Sequence, residues 1–293
     1  MNIIFFGNTK YSVIDAEALH KHFGLTAVVT IPDKEIKKNI VQSPVKTFAL
    51  ANNIPVIEAE KLTLSIIDQI KQLHPDFLVV ADYRLIIPQE LLRVPKFAPL
   101  NIHHSLLPKY RGPSPVPSTL LAGEKKTGVT IIIMNDKVDD GDIVAQKEYT
   151  IQPEDTSETL LTKLNQLGSQ AVIEVIEHFN EIKPIKQDES QASFTNYMEK
   201  QHGYIDTANP PTPEKLDLMM RAYHPWPGVW STVKLRDKEV RIKFSPAPVG
   251  AKHLPAGRKG LLPLIQVEGK KPQTIKDFLN GYPEATQWLA TIM

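Results

Sequence analysis

The chain has 293 residues, of which 42% are apolar and 23% charged, with a formal net charge of +1 and no cysteine. That composition is ordinary for a soluble globular protein with room for two domains. It excludes disulfides, thiolate metal sites and a cysteine nucleophile, and no apolar run approaches the roughly 18 residues of a membrane-spanning helix.

The chain opens on Asn2-Ile-Ile-Phe-Phe-Gly7, an apolar run of the kind that forms a buried first strand of a parallel sheet. The opening carries neither the basic region nor the small-residue cleavage site of a signal peptide, so cytoplasm is the expected compartment. Ser12 to Phe23 has helical spacing, with Val13, Ala16, Leu19 and Phe23 on one face, and Leu25 to Thr30 is a strand stopped by Pro32. A polar loop follows. Pro44 to Asn53 reads as a helix with proline near its first turn, Ile54 to Ile57 as a short strand, and Ser65 to Leu73 as a helix. Phe77 to Ala81 is a fully apolar strand, Pro88 to Leu92 a short helix and Pro99 to His103 another strand. Such alternation predicts an α/β fold with a Rossmann-like, doubly wound, mostly parallel sheet and helices on both faces.

The pattern then changes. Val129 to Met134 and Ile143 to Tyr149 read as hairpin-like strands flanking an Asp-Gly turn, and Thr156 to Phe179 is a long amphipathic helix. Pro184 to Ser193 is polar and reads as a linker. Beyond a short helix after Pro213, Val229 to Leu235 and Glu239 to Phe244, joined by Arg236-Asp-Lys238, suggest a small barrel or sandwich. Residues 221–293 hold 12 of the 34 Lys+Arg but only 5 of the 33 Asp+Glu. A basic tail segment on an acidic body fits either a docked polyanion or a lysine-rich solvated surface.

A dinucleotide is not the expected ligand of the sheet. The first turn, Gly7-Asn-Thr-Lys-Tyr11, has one glycine where G-x-G-x-x-G would let a pyrophosphate approach the backbone, and no phosphate loop is present. The ligand is still expected outside the carboxyl ends of the strands, where Asn101 and His103 lie. Side chains two apart on a strand share a face, so these two point into one space while Ile102 and His104 point away. Asp139, beside Gly141 in a turn, is a carboxylate able to hold the imidazole in one tautomer and favour its charged form. It is equally able to cap its own turn, the preferred reading for Asp140 and Asp142.

Asn101-x-His103, Ser105-Leu-Leu-Pro108, Arg111-Gly112, Thr127-Gly-Val-Thr130 and Asp139-x-Gly141-Asp142 together resemble the formyltransferase family that uses 10-formyltetrahydrofolate. Ser43-Pro-Val-Lys46 and Arg221-Ala-Tyr-His-Pro-Trp226-Pro-Gly228 are similar to the branch of that family that acts on methionyl initiator tRNA. The resemblance covers roughly residues 1 to 245. It implies a catalytic domain over 1–183 that binds folate, a linker over 184–204, and an OB-like barrel over 205–293 that helps hold tRNA. It gives Asn101, His103 and Asp139 the catalytic positions. Ser105, Leu106, Leu107 and Pro108 become the folate-contacting loop, with Tyr83, Arg84 and Asp142 beside it. Lys34, Lys37, Lys38, Lys46 and Arg111 are implied as tRNA contacts. The implied chemistry needs 10-formyltetrahydrofolate as co-substrate, no metal and no covalent enzyme intermediate, in an enzyme expected to be a monomer.

Three features depart from that branch. Lys34-Glu-Ile-Lys-Lys38-Asn replaces a longer Gly-Arg-Gly-Lys-Lys stretch, and Asp82-Tyr83-Arg84 replaces Ala-Tyr-Gly. The Tyr-Arg pair resembles sugar N-formyltransferases, and the stretch after Phe244 is short and proline-rich. An amino sugar linked to a nucleotide is therefore the alternative acceptor. An idle RNA- or folate-binding module is the reading outside catalysis.

Overall fold

The computed structural model describes residues 1–36, 39–246 and 263–292. They form two compact units with interleaved segments: Met1–Gly112, Thr127–Tyr149 and Leu161–Phe194 in the first, and Pro113–Lys126, Thr150–Leu160 and Thr195–Met293 in the second. Among the described residues no helix is long and apolar enough to cross a membrane.

Chain order runs β1 (Ile3–Phe6), α1 (Ser12–Phe23), β2 (Ala27–Thr30), β3 (Lys34–Ile36), β4 (Asn39–Val41), α2 (Pro44–Ala51), β5 (Val56–Glu58), α3 (Leu64–Gln72), β6 (Phe77–Ala81), α4 (Gln89–Leu92) and β7 (Ala98–His103). It continues through α5 (Pro115–Leu121), β8 (Lys126–Ile133), β9 (Asp142–Thr150), α6 (Ser157–Glu177), α7 (Pro213–Ala222), β10 (Val229–Leu235), β11 (Lys238–Pro246), β12 (Pro263–Val267), α8 (Ile275–Gly281) and α9 (Thr286–Ile292).

The first unit is a mixed α/β structure around a seven-stranded sheet in the order β5-β2-β1-β6-β7-β8-β9. The five strands β5, β2, β1, β6 and β7 are parallel, and β8 runs antiparallel to β7 with Leu100 opposite Ile133. Strand order reverses at β1, which puts the crevice of an open α/β sheet beside the carboxyl ends of β1 and β6. Alternation along each strand divides the core in two. Ile3, Phe5, Val28, Val79, Leu100 and Ile102 pack with Ala16 and Leu19 of α1 and Val172 and Val175 of α6. Ile4, Phe6, Val29, Leu78 and Val80 pack with Ile67 and Ile70 of α3 and Leu91 of α4 on the opposite face. Each fully buried phenylalanine or isoleucine contributes about 1.5–3 kcal/mol, and β1 supplies two such residues to each layer.

Two stretches differ from their sequence reading. The polar loop after Pro32 contains β3 paired antiparallel to β4, a ribbon outside the main sheet. The stretch read as a linker is paired into the first unit: Ile185 bridges Ile143 through reciprocal backbone hydrogen bonds of 2.8 and 2.9 Å, and the unit runs to Phe194.

The second unit contains a three-stranded antiparallel sheet, β10-β11-β12. Val229, Ser231, Val233 and Leu235 point inward from β10, alongside Ile242, Phe244, Ile265 and Val267. Arg236 and Asp237, both at positive φ, close the β10–β11 hairpin. Two consecutive residues in that region match the twist of the flanking strands.

One core residue of the first unit opposes its surroundings. Asp15 on α1 is 0% exposed, and neither carboxyl oxygen meets a hydrogen-bond partner on another described residue. Burial, reinforced by the Asp82 charge, pushes its carboxyl well above the ordinary carboxylate value. The unfolded chain therefore gives up a proton that the folded chain retains, and stability falls as pH rises from about 3.9 toward the raised folded value. Asp15→Asn carries no such proton. It is expected to unfold a few degrees above the parent near neutral pH, with the gain vanishing toward pH 4. Thermal unfolding across pH measures this, and a gain independent of pH would contradict it.

Candidate active site

The candidate site is built from the carboxyl end of β7, the loop after it and the turn before β9, all in the first unit. The period of the strand sends Leu100 and Ile102 into the core and Asn101 and His103 to the other face. Asp139 meets both. Asn101 Nδ2 donates to Asp139 Oδ1 at 3.2 Å, and Asp139 Oδ2 accepts from the Gly112 amide at 2.7 Å. His103 Nδ1 lies 3.5 Å from Asp139 Oδ2, an ion-pair spacing, while Nε2 donates to the Tyr110 carbonyl at 2.9 Å. The imidazole is 5% exposed, and each ring nitrogen faces an acceptor oxygen. Asn101, His103 and Asp139 are thus brought together, with Asp139 at φ +53, in the left-handed region.

The Ser105–Pro108 loop is fixed by its own polar groups. Ser105 Oγ donates to the Lys109 carbonyl at 2.6 Å. Thr130 Oγ1 donates to the Ser105 carbonyl at 2.6 Å and accepts from the Leu107 amide, while Gln146 Nε2 donates to the Leu107 carbonyl and to Thr130 Oγ1. Ser105 and Leu107 are buried, and Leu106 and Pro108 are half-buried, so these latter two carry the accessible side-chain surface of the loop. At the end of β6, Asp82 has φ +47, accepts from Thr9 Oγ1 at 3.1 Å and faces His104 Nδ1 at 3.5 Å. Burial lowers the pKa of His104 despite the Asp82 charge. The Tyr83 ring meets Phe6 edge-on at 5.4 Å, and burial pushes its hydroxyl up to about 12. Arg84 is exposed, and Asp142 is half-buried at the start of β9.

The residues proposed for RNA contact separate. Lys34 is exposed on β3, while Lys37 and Lys38 lie outside the described residues. Lys46 Nζ is bound by Asp33 and Glu58, each at 2.8 Å, and the hydrogen bonds to Asp33 and then Glu58 raise its pKa. Arg111 is 2% exposed; its guanidinium pairs with Asp140 at 2.8 Å and with Glu189 at 2.7 Å. The basic residue read as a surface contact is an interior brace, because carboxylates from two distant segments enclose it. Sequence reasoning missed these partners, and also Gln187, Thr130 and Gln146. Only Thr130 had a signal, through the Thr127-Gly-Val-Thr motif.

Among the described residues, no three metal-binding side chains come together. A preorganised amide and imidazole backed by a carboxylate are instead suited to stabilising charge at a carbonyl under attack. The formyl transferase family matches residues 1–176, and the chain belongs to that family. Over nearly its whole length it resembles one particular member. It is 34% identical to the methionyl-tRNA formyltransferase of Methylacidiphilum infernorum, with 96% of this chain and 95% of that protein covered. It is 36% identical to the enzyme of the same name from Thermodesulfovibrio yellowstonii, with 95% of each covered. In fold it is similar to the methionyl-tRNA formyltransferase from Clostridium thermocellum (TM-score 0.64, 18% identity, 91% of this chain and 98% of that chain). A sugar N-formyltransferase from Shewanella shares the fold as well (TM-score 0.64, 21% identity, 84% and 96%).

Proposed function

We propose that this chain transfers the formyl group of 10-formyltetrahydrofolate to the α-amino group of methionyl initiator tRNA. The observation that carries the reading is the meeting of Asn101, His103 and Gly112 on the Asp139 carboxylate, in a chain whose near-full-length relatives bear that enzyme's name.

The amine lone pair attacks the formyl carbon, and the carbonyl π pair moves onto oxygen. The resulting tetrahedral intermediate collapses by breaking the bond to the folate N10, which takes up the proton the amine loses. An α-amine has a pKa of about 7.7–8, so its free-base form is accessible at neutral pH. An amide nitrogen has two hydrogens; Asp139 takes one from Asn101, and the other serves the developing oxyanion. His103 supplies the second donor when substrate takes the place of the Tyr110 carbonyl on its Nε2, and Asp139 orients the ring from the Nδ1 side. Leu106 and Pro108 with Tyr83 and Arg84 form the folate wall, and Asp142 stands beside it. Lys34 on β3 and, from the sequence, Lys37 and Lys38 are the proposed contacts to the acceptor RNA. Lys46 and Arg111, spent on carboxylates, shape the loops around it. The second unit's sheet belongs to an OB-like barrel whose excess of Lys and Arg attracts phosphate.

An acceptor assay with 10-formyltetrahydrofolate as donor tests this. Methionyl initiator tRNA is expected to be formylated at least about a hundredfold more efficiently than nucleotide-linked amino sugars. A reversed preference would assign the chain to the sugar N-formyltransferases, and transfer to neither acceptor would leave a binding module.

A further inference from the structure

Asp139 is held at φ +53, a conformation that costs a non-glycine residue of order 1–2 kcal/mol. Its carboxylate is fixed by Asn101 and Gly112, but its backbone is fixed from elsewhere. Gln187 Nε2 donates to the Asp139 carbonyl at 2.8 Å and to the Gly141 carbonyl at 2.8 Å, so one side-chain amide spans the turn that presents the catalytic carboxylate. The same side chain is held at its other end, where Gln187 Oε1 accepts from Arg111 Nε at 3.0 Å and from Arg111 Nη2 at 2.8 Å. Arg111 in turn binds Asp140 Oδ1 at 2.8 Å and Glu189 Oε1 at 2.7 Å, and its backbone amide donates to the Ser193 carbonyl at 2.8 Å.

We infer that Gln187 is a positioning residue for formyl transfer: with Arg111 it locks the 139–141 turn so that the Asp139 carboxylate faces Asn101 and His103. The inference rests on the proposed function for its kinetic consequence, but the mechanical claim stands on the geometry alone. Only a primary amide satisfies the position. Two carbonyl oxygens require two N–H donors, while the guanidinium requires an acceptor oxygen at the far end, and glutamine has that inventory. A carboxylate would keep the Arg111 pairing and lose both donors, setting an oxygen against two carbonyls. The lever is short. Asp139 is the residue whose carboxylate meets the imidazole, and small misplacements of a catalytic group cost rate more than binding.

Gln187→Glu and Gln187→Met separate the two ends of the side chain. Both are expected to lower kcat by about 10- to 100-fold per active site, while KM for the formyl donor and for the charged tRNA stay within about threefold. Hydrogen exchange at the Gly112 amide, whose N–H is held by Asp139 Oδ2, is expected to accelerate in both variants. Unchanged kcat per active site, or a loss confined to KM, would overturn the kinetic claim. Gly112 exchange identical to the parent would overturn the positioning claim itself. Gln187 is half-buried, and a variant that unfolds is replaced by Gln187→Asn, which keeps the amide chemistry but shortens its reach. Failure of the parent to formylate any acceptor would sink the proposed function, whereas the Gly112 measurement would still decide the lock.

Discussion

Replacing His103 with alanine is expected to slow formyl transfer by about three orders of magnitude, with thermal unfolding lowered by no more than a few degrees. Loss of a single oxyanion donor costs typically about 10²–10³-fold, and His103→Ala also removes the ring that Asp139 orients. The ring is lodged between the Asp139 carboxylate and the Tyr110 carbonyl, so its removal also takes from Asp139 the partner it shares with Asn101 and Gly112. Asn101→Ala is the smaller lesion, because it removes one donor and leaves the imidazole–carboxylate pair in place. Single-turnover kinetics with saturating donor measures the effect without interference from product release. Turnover of His103→Ala within tenfold of the parent would remove the imidazole from the chemistry, whatever the distances suggest.

Gly141→Ala is expected to damage folding and catalysis together. A Cβ at this position would lie 1.9 Å from the Ile133 carbonyl oxygen and 2.8 Å from its carbon. Both are backbone atoms, so no side chain can rotate aside. Ile133 ends β8 and pairs with Leu100, the neighbour of Asn101. The added methyl therefore displaces either the turn that carries Asp139 or the strand that backs Asn101. A shift of about 1 Å in a catalytic group costs about a hundredfold in rate, and main-chain relocation in a packed core costs typically about 1–3 kcal/mol. Activity is expected to fall at least about a hundredfold and the unfolding temperature by several degrees. Gly24→Ala provides the contrast: its φ of +75 strains alanine, but nothing lies within 4 Å, so it should lose some stability and no activity. If Gly141→Ala behaved like Gly24→Ala, the turn would be more pliant than its contacts imply.

Much of this architecture was legible in the chain because burial imposes periods. The runs Ile3–Phe6 and Phe77–Ala81 are apolar at every position because helices cover both faces of the sheet, and the two-residue spacing of Asn101 and His103 places them together. The carboxylate that joins them came from a motif, since no period connects a strand to a turn 38 residues away. Arg111 was misplaced for a related reason. A charged residue reads as solvated until its partners are known, and Asp140 and Glu189 are distant in sequence. Gln187 lay in a polar stretch without periodicity, where a structural amide looks like any loop residue. Lys34-Glu-Ile36 carries no apolar alternation, so its pairing with β4 could not be seen beforehand.

The amide clamp on the catalytic turn arrives from 48 residues downstream of the carbonyl it grips. A polypeptide released or cut ahead of that point would keep every reacting group and lack the part that tightens them into register. On the inference drawn above, a break in that returning segment is a loss of alignment and leaves the proposed reacting groups themselves intact.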